Sequence, residues 1–275
     1  MTAAYSREPG PIALGDAIEW GHPDTAGLAL SLVGLPGAIG NTWADLTRKT
    51  AGATLAGGAA WAGTPFGQSG LLLNGSTGYC NTGLRYSGSA NSVTVAVWVR
   101  SDVVGNDAHV ANINYDGSTV PIDLNVGAAP GTTGDGFGFF DGGWRKSGMT
   151  TDVRGDKRWH RVAGTYDGTT LAYYIDGRLD ASSVYTGTIP TGNANTLDLG
   201  RYAAGATAYF AGAMAGALVV FRAASPAWIA RDYEWSQDPQ RDPRFRRAST
   251  RSLFVTAAGV PTTSYLPGLV CGYGM

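Results

Sequence analysis

Charge is scarce in this chain of 275 residues. Asp, Glu, Lys and Arg together make up 15%, well below the quarter usual in globular domains. Glutamate stands only at Glu8, Glu19 and Glu234, and lysine only at Lys49, Lys146 and Lys157. The formal net charge of −1 gives no electrostatic ground for a nucleic-acid partner. Cysteine occurs twice, at Cys80 and Cys271. That is too few for a disulfide framework, so buried free thiols are expected, with a bridge as the alternative. No run approaches the roughly 18 apolar residues of a membrane-spanning helix, and no membrane partner is expected. The first ten residues lack the basic and apolar regions of a secretory leader, which predicts synthesis in the cytosol.

Several chemistries lack their residues. His22, His109 and His160 do not cluster, and no His-x-x-x-His or Cys-x-x-Cys spacing occurs, so no zinc site is expected. No Ser sits in a Gly-x-Ser-x-Gly elbow. The glycine-rich pieces have no following Lys-Ser/Thr helix start, so phosphate binding is unsupported.

What the chain has is glycine, 41 residues, together with 11% aromatics and 44% hydrophobic residues overall. Glycine makes corners and rings fill the space between sheets, so this balance predicts a turn-dense β protein. The clearest segment runs from Trp159 to Arg178. It holds two runs of β-formers, each closed by Asp-Gly, at Asp167-Gly168 and Asp176-Gly177. Asp-Gly suits type I′ corners, so a three-strand meander is expected. From Val93 to Arg100 the pattern alternates. Val93, Val95, Val97 and Val99 share one face, and Thr94, Ala96, Trp98 and Arg100 share the other. Trp98 and Trp159 are expected in the core. Further strands are read at Gly27–Val33, Leu71–Asn74, His109–Tyr115, Val120–Val126, Gly136–Phe140, Leu197–Leu199 and Met214–Phe221. Residues 1–26 read as an extended arm and 27–222 as the β domain. Residues 223–275 read as a helix and tail, with Ser225 as N-cap and Pro226 in the first turn.

Taken in order, these segments resemble the laminin-G-like, concanavalin-A-like jelly-roll superfamily, of the kind found among tailed-phage structural proteins. The resemblance is carried by residues 67–76 with Tyr79, the strand ending at Val99, Trp159 to Gly168, Tyr174 to Gly177, Leu197 to Gly200 and Phe210 to Met214. It spans about residues 27–235. It implies an all-β, two-sheet antiparallel jelly-roll sandwich. Many relatives bind calcium through an acidic pair at the positions that here read Ala215-Gly216, so a calcium site at that place is doubtful. Asp45 is the one remaining calcium candidate. A lone carboxylate is a poor site for an ion wanting six to eight oxygens, so Asp45 is read as a turn former and no cofactor is expected.

Hydrolases of this superfamily carry Glu, Asp and Glu at alternating positions of one strand. The three glutamates here lie outside the sandwich, so no catalytic residues are expected and the chain is read as no enzyme. Asp135, Asp141, Asp167 and Asp176 each precede Gly and read as turn formers, although an unusual hydrolase could use an Asp pair. Glycan binding needs an exposed ring with polar neighbours. The candidates are Tyr115, Asp116, Asp141, Trp144 and Arg145, against the alternative that Trp144 only packs over its loop. Arg241, Arg244, Arg246 and Arg247, followed by Leu253, Phe254 and Val255, form a candidate protein-docking segment.

The reading these features favour is a non-enzymatic virion structural protein: a capsid decoration, fibre or tail-associated module. It would sit on the virion surface, partner other virion proteins, form a homo-oligomer and present its jelly roll to a cell-surface glycan. The alternative is a soluble or exported carbohydrate-binding lectin.

Overall fold

The computed structural model describes residues 17–34, 38–88, 90–104, 109–127, 135–202, 208–238 and 242–246. In chain order the strands are β1 (Ala17–Ile18), β2 (Leu28–Leu32), β3 (Thr42–Trp43), β4 (Ala53–Ala56), β5 (Ala60–Gly63), β6 (Ser69–Asn74) and β7 (Tyr79–Asn81). Then come β8 (Val93–Ser101), β9 (His109–Ile113), β10 (Val120–Asn125), β11 (Phe137–Phe140), β12 (Trp144–Lys146), β13 (Trp159–Tyr166), β14 (Thr170–Ile175) and β15 (Arg178–Val184). The last are β16 (Leu197–Leu199), β17 (Arg201–Tyr202), β18 (Ala208–Tyr209), β19 (Ala211–Val220) and β20 (Phe245–Arg246), with helix α1 (Pro226–Gln237) before β20.

Two eight-stranded sheets form the sandwich. The first has the order β12-β11-β10-β9-β16-β7-β4-β3. The second has the order β15-β14-β13-β8-β19-β6-β5, with β2 also paired to β19. All their pairings are antiparallel. The expected jelly-roll sandwich is therefore present. No helix among the described residues is long and apolar enough to cross a membrane.

The alternation of β8 does what a period of two requires. Val93, Val95, Val97 and Val99 join the main core, with Trp43, Phe137, Phe139, Tyr166 and Phe210. Between the sheets, Gly164 faces the Phe137 ring. A Cβ at Gly164 would lie 2.1 Å from that ring, so only glycine fits there. Cys80 is a free, buried thiol in the same core.

The meander from β13 to β15 forms as expected. Asp176 and Gly177 both have positive φ, 50° and 78°, as a type I′ corner demands. The first corner differs. Only Gly168 has positive φ there, and Asp167 Oδ1 accepts from the backbone N–H of Thr169 and Thr170. A four-residue loop, 167–170 between paired Tyr166 and Leu171, replaces the two-residue turn.

Helix α1 starts where the sequence placed it. Ser225 caps it by accepting from Trp228 N at 3.2 Å. It lies on the outer face of the second sheet, where Trp228 and Ile229 pack with Ala96, Ala163, Ala172 and Leu218 in a second core. The small alanines leave room for the helix. Burying a side chain such as Ile229 contributes about 1.5–3 kcal/mol. Trp98 is buried as expected, but beneath Phe66 and Tyr233 on this outer face rather than between the sheets. Trp159 is half-buried at its edge, against Phe66 and Arg100.

The described parts of both terminal segments pack on this side too. β1 pairs with β20, and Arg231 holds Asp24 at 3.0 Å. Arg244, expected to dock onto another protein, is turned inward. It is buried against Asp232 at 2.8 Å and Asp242 at 2.6 Å, and Arg161 pairs with the same Asp232 at 2.8 Å. A guanidinium satisfies two carboxylates at once, so this segment closes its own domain. Arg246 lies in β20. Arg241, Arg247, Leu253, Phe254, Val255 and Cys271 lie outside the described residues.

Candidate functional site

The outer face of the first sheet carries a row of polar residues in register. Asp123 of β10 faces Asn112 of β9, Asn112 faces Asp198 of β16, and Asp198 faces Asn81 of β7. Their strand neighbours Leu124, Ala111, Leu197, Leu199 and Cys80 point the other way, into the core. A register shift between Leu124 and Asn125 leaves Val110 without a partner opposite. Strict alternation would put His109 on the core side with Ala111 and Ile113. The bulge returns it to the polar face, where its Nδ1 lies 2.8 Å from Asp123 Oδ1.

Asp123 is fully buried. Besides His109, it accepts from Asn112 Nδ2 at 2.8 Å, Asn125 Nδ2 at 3.2 Å and Lys146 Nζ. Lys146 belongs to β12, two strands away, and reaches Asp123 by crossing above Gly138. A Cβ at Gly138 would fall 2.9 Å from Lys146 Cδ and 1.9 Å from the Arg145 carbonyl oxygen. Glycine therefore opens the path for the lysine. Burial alone would raise the Asp123 pKa, but the Lys146 and His109 charges outweigh it and hold the carboxyl far below the usual range.

Asp198 lies two strands along the row, roughly 9.5 Å away between Cα atoms at the usual strand spacing. Its carboxylate accepts from Asn81 Nδ2 at 2.6 Å, Asn114 Nδ2 at 2.7 Å and Arg201 Nε at 2.7 Å. The Arg201 guanidinium sits 3.4 Å from the Tyr79 ring centroid. Each buried carboxylate thus has its own cation.

Over one end of this row lies a chain of aromatic rings. Tyr202 stacks on His109 with centroids 4.9 Å apart, and Trp144 meets Tyr202 at 6.5 Å. Phe140 meets Trp144 at 5.4 Å and Tyr115 at 5.8 Å, both edge to face. Lys146 Nζ lies 4.4 Å from the Trp144 centroid, so the lysine that neutralises Asp123 also supports the ring. Trp144 is 45% exposed and Tyr115 38%.

The five expected glycan residues are therefore divided. Tyr115 and Trp144 share this surface. Asp116 is on the adjacent loop, where its carboxylate accepts from the N–H of Ser118 and Thr119 and stays below its ordinary pKa through those bonds. Asp141 and Arg145 pair with each other at 2.9 Å. They meet Tyr185, whose hydroxyl donates to Asp141 and whose ring lies under the guanidinium, because Arg145 alternates with Trp144 along β12. Asp141 is thus a partner of side chains, not simply a turn former.

Asp45 has the turn role read from the sequence. It accepts from Ser31 N, Thr47 N and Thr50 N and from the Thr47 and Thr50 hydroxyls. Among the described residues, no group of three or more His, Cys, Asp or Glu side chains is gathered for a metal ion.

Sequence reasoning missed Asp123, Asp198, Lys146, His109 and Tyr202. A local signal existed for the first two: each is a lone carboxylate between apolar neighbours, as in Ile122-Asp123-Leu124 and Leu197-Asp198-Leu199. Nothing local marked the lysine that reaches over a neighbouring strand.

A two-sheet sandwich with one polar, ring-edged sheet face defines a lectin-like class of protein. A family model described as the Concanavalin A-like lectin/glucanases superfamily matches residues 74–230, more than half of the chain. The chain belongs to that superfamily. No curated protein sequence matches it. Among solved structures, domain 4 of AbnA, an extracellular GH43 arabinanase from Geobacillus stearothermophilus solved with arabinotriose, is similar at 18% identity and a TM-score of 0.60. That match covers 75% of this chain and 98% of the domain. Trypanosoma rangeli sialidase with a difluorosialic acid is similar at 16% identity and a TM-score of 0.55, over 76% of this chain and 33% of the sialidase. The binding domain of botulinum neurotoxin DC, solved with SialylT, is similar at 12% identity and a TM-score of 0.56, over 78% of this chain and 52% of that domain. The chain thus spans about a third of the sialidase and half of the toxin domain. At such identities the likeness is one of fold.

Proposed function

We propose that this protein is a non-enzymatic glycan-binding module, with the rings of Tyr115, Phe140, Trp144 and Tyr202 as its sugar-stacking surface. The observation that carries this reading is the exposure of Trp144 and Tyr115 on a surface fixed from beneath. Trp144 keeps 45% of its surface exposed although Lys146 and Phe140 pack against it. The arabinanase domain solved with arabinotriose and the toxin binding domain solved with SialylT lend support from the same fold.

Against hydrolysis stands the state of the carboxylates. A general acid must hold its proton near neutral pH, and Asp123 is driven the opposite way. Asp198 is occupied by three donors.

The test is a glycan array probed with the full-length protein and with Trp144→Ala. The expected outcome is binding by the native chain and a loss of at least about tenfold, or about 1.4 kcal/mol, in the variant. Unchanged far-ultraviolet circular dichroism would show the variant folded. A blank array, or binding indifferent to Trp144, rejects the reading. Polysaccharide turnover that disappears in Asp123→Asn or Asp198→Asn would replace it with catalysis.

The more specific expectation, display on a virion surface beside other virion proteins, draws on the character of the terminal segments in the sequence. Finding the chain in purified particles by mass spectrometry would carry it, and its absence from them would end it.

A further inference from the structure

The geometry points to a neutral oligosaccharide of at least two sugar units as the ligand class of the aromatic surface, in preference to uronic-acid or sialylated glycans. This inference rests on the proposed function above.

The first observation concerns the cations. An acidic sugar is recognised by a cation able to turn to its carboxylate. Three cationic side chains around this surface are already committed. Lys146 is held by buried Asp123, Arg201 by buried Asp198 at 2.7 Å, and Arg145 by Asp141 at 2.9 Å. Lys146 and Arg201 cannot leave without uncovering a carboxylate that is essentially inaccessible to water. Stranding such a charge costs more than a solvent-exposed ion pair returns.

The second observation concerns hydrogen bonding. Asn112 and Asn125 are buried and spend their amide N–H groups on Asp123, so the polar row is closed and what faces solvent is the rings. A ring face packs on the C–H face of a neutral sugar and offers a carboxylate no hydrogen bond.

The third observation concerns size. Tyr115 and Trp144 are exposed rings of this surface, and Phe140 stands between them, 5.8 Å from one and 5.4 Å from the other. A single pyranose or furanose lies on one ring. Using both requires a chain of sugars.

The test is titration calorimetry of the full-length chain with arabino-, xylo-, cello- and galacto-oligosaccharides of one to six units. Oligogalacturonate, oligoalginate and 3′-sialyllactose are run beside them, each at low and at high salt. The expected result is binding to at least one neutral series, with a gain of about tenfold or more from one unit to two or three. The acidic probes should bind at least about tenfold more weakly, and affinity for the neutral series should not fall with salt. Tyr115→Ala should remove the gain with length. Tighter binding of an acidic probe, or affinity that falls steeply with salt, overturns the inference and leaves the glycan-binding reading standing. Heat from none of the probes, with a blank glycan array, overturns both.

Discussion

Replacing Lys146 by Met tests the polar face most directly. The substitution keeps the length of the side chain over Gly138 and removes only the charge. Asp123 then stays fully buried, with His109, Asn112 and Asn125 as its remaining partners. Deleting one member of a buried ion pair costs about 3–5 kcal/mol, because the other charge is left without compensation. Three surviving contacts to Asp123 favour the lower end, about 3 kcal/mol. For a domain of this size, 1 kcal/mol moves the melting temperature by about 2–4 °C, so a fall of about 6–12 °C is expected at neutral pH. The assay is urea unfolding with the midpoint and slope both fitted, backed by a thermal scan.

The pH dependence supplies a second readout. The folded Asp123 pKa lies far below its unfolded value, so its contribution is present above the unfolded carboxylate pKa of about 3.9 and is lost as pH falls through the folded value. Without Lys146 the folded pKa rises, and stability in acid should be lost at a higher pH than in the native chain. Asp123→Asn combined with Lys146→Met should recover much of the loss, because the stranded charge is gone. A midpoint shift worth less than about 0.5 kcal/mol, or effects of the two substitutions that simply add, would refute the coupling.

Three further outcomes are expected. Gly138→Ala should destabilise by more than about 2 kcal/mol in urea, because its Cβ meets the Arg145 carbonyl and the crossing lysine, whereas Gly63→Ala, at an exposed position with open space and no positive φ, should do far less. Arg244→Met should cost about 3–5 kcal/mol by leaving Asp232 and Asp242 short of a cation, and hydrogen exchange should quicken first in the helix at residues 226–237. His160 bridges Asp176 and Asp156 at 2.8 and 2.7 Å, and those partners raise its pKa above 6.5. Its contribution is therefore complete below the unfolded value of about 6.5 and fades as pH climbs through the raised folded value, so unfolding free energy should decline over that window in the native chain and stay flatter in His160→Gln.

The parts of the fold legible in the sequence share one property: their cause is local. The β8 alternation needs only that successive side chains point to opposite faces. The Asp176-Gly177 corner needs two residues tolerant of positive φ, and the start of α1 needs an oxygen at Ser225 and a proline after it. The ring at Trp144 was recognisable because an aromatic side chain stood in a polar, glycine-flanked loop between strand signals. Arg145, its neighbour, lies on the opposite side with Asp141 and Tyr185, because adjacent residues of a strand face opposite ways.

By itself, the sequence settled the main sheet-forming segments, the two-layer sandwich and the capped helix, since period and turn chemistry act over a few residues; it did not mark β5 or β12. Tertiary structure alone decided that Asp123, Asn112, Asp198 and Asn81 stand in one row, that Lys146 spans a strand to reach the first of them, and that Arg244 turns into its own domain. Those placements depend on strand register, on one bulge at Val110 and on a missing side chain at Gly138, drawing together residues from distant stretches of the chain. No local pattern encodes which strand will lie beside which, and so none could foretell which charges would be buried together.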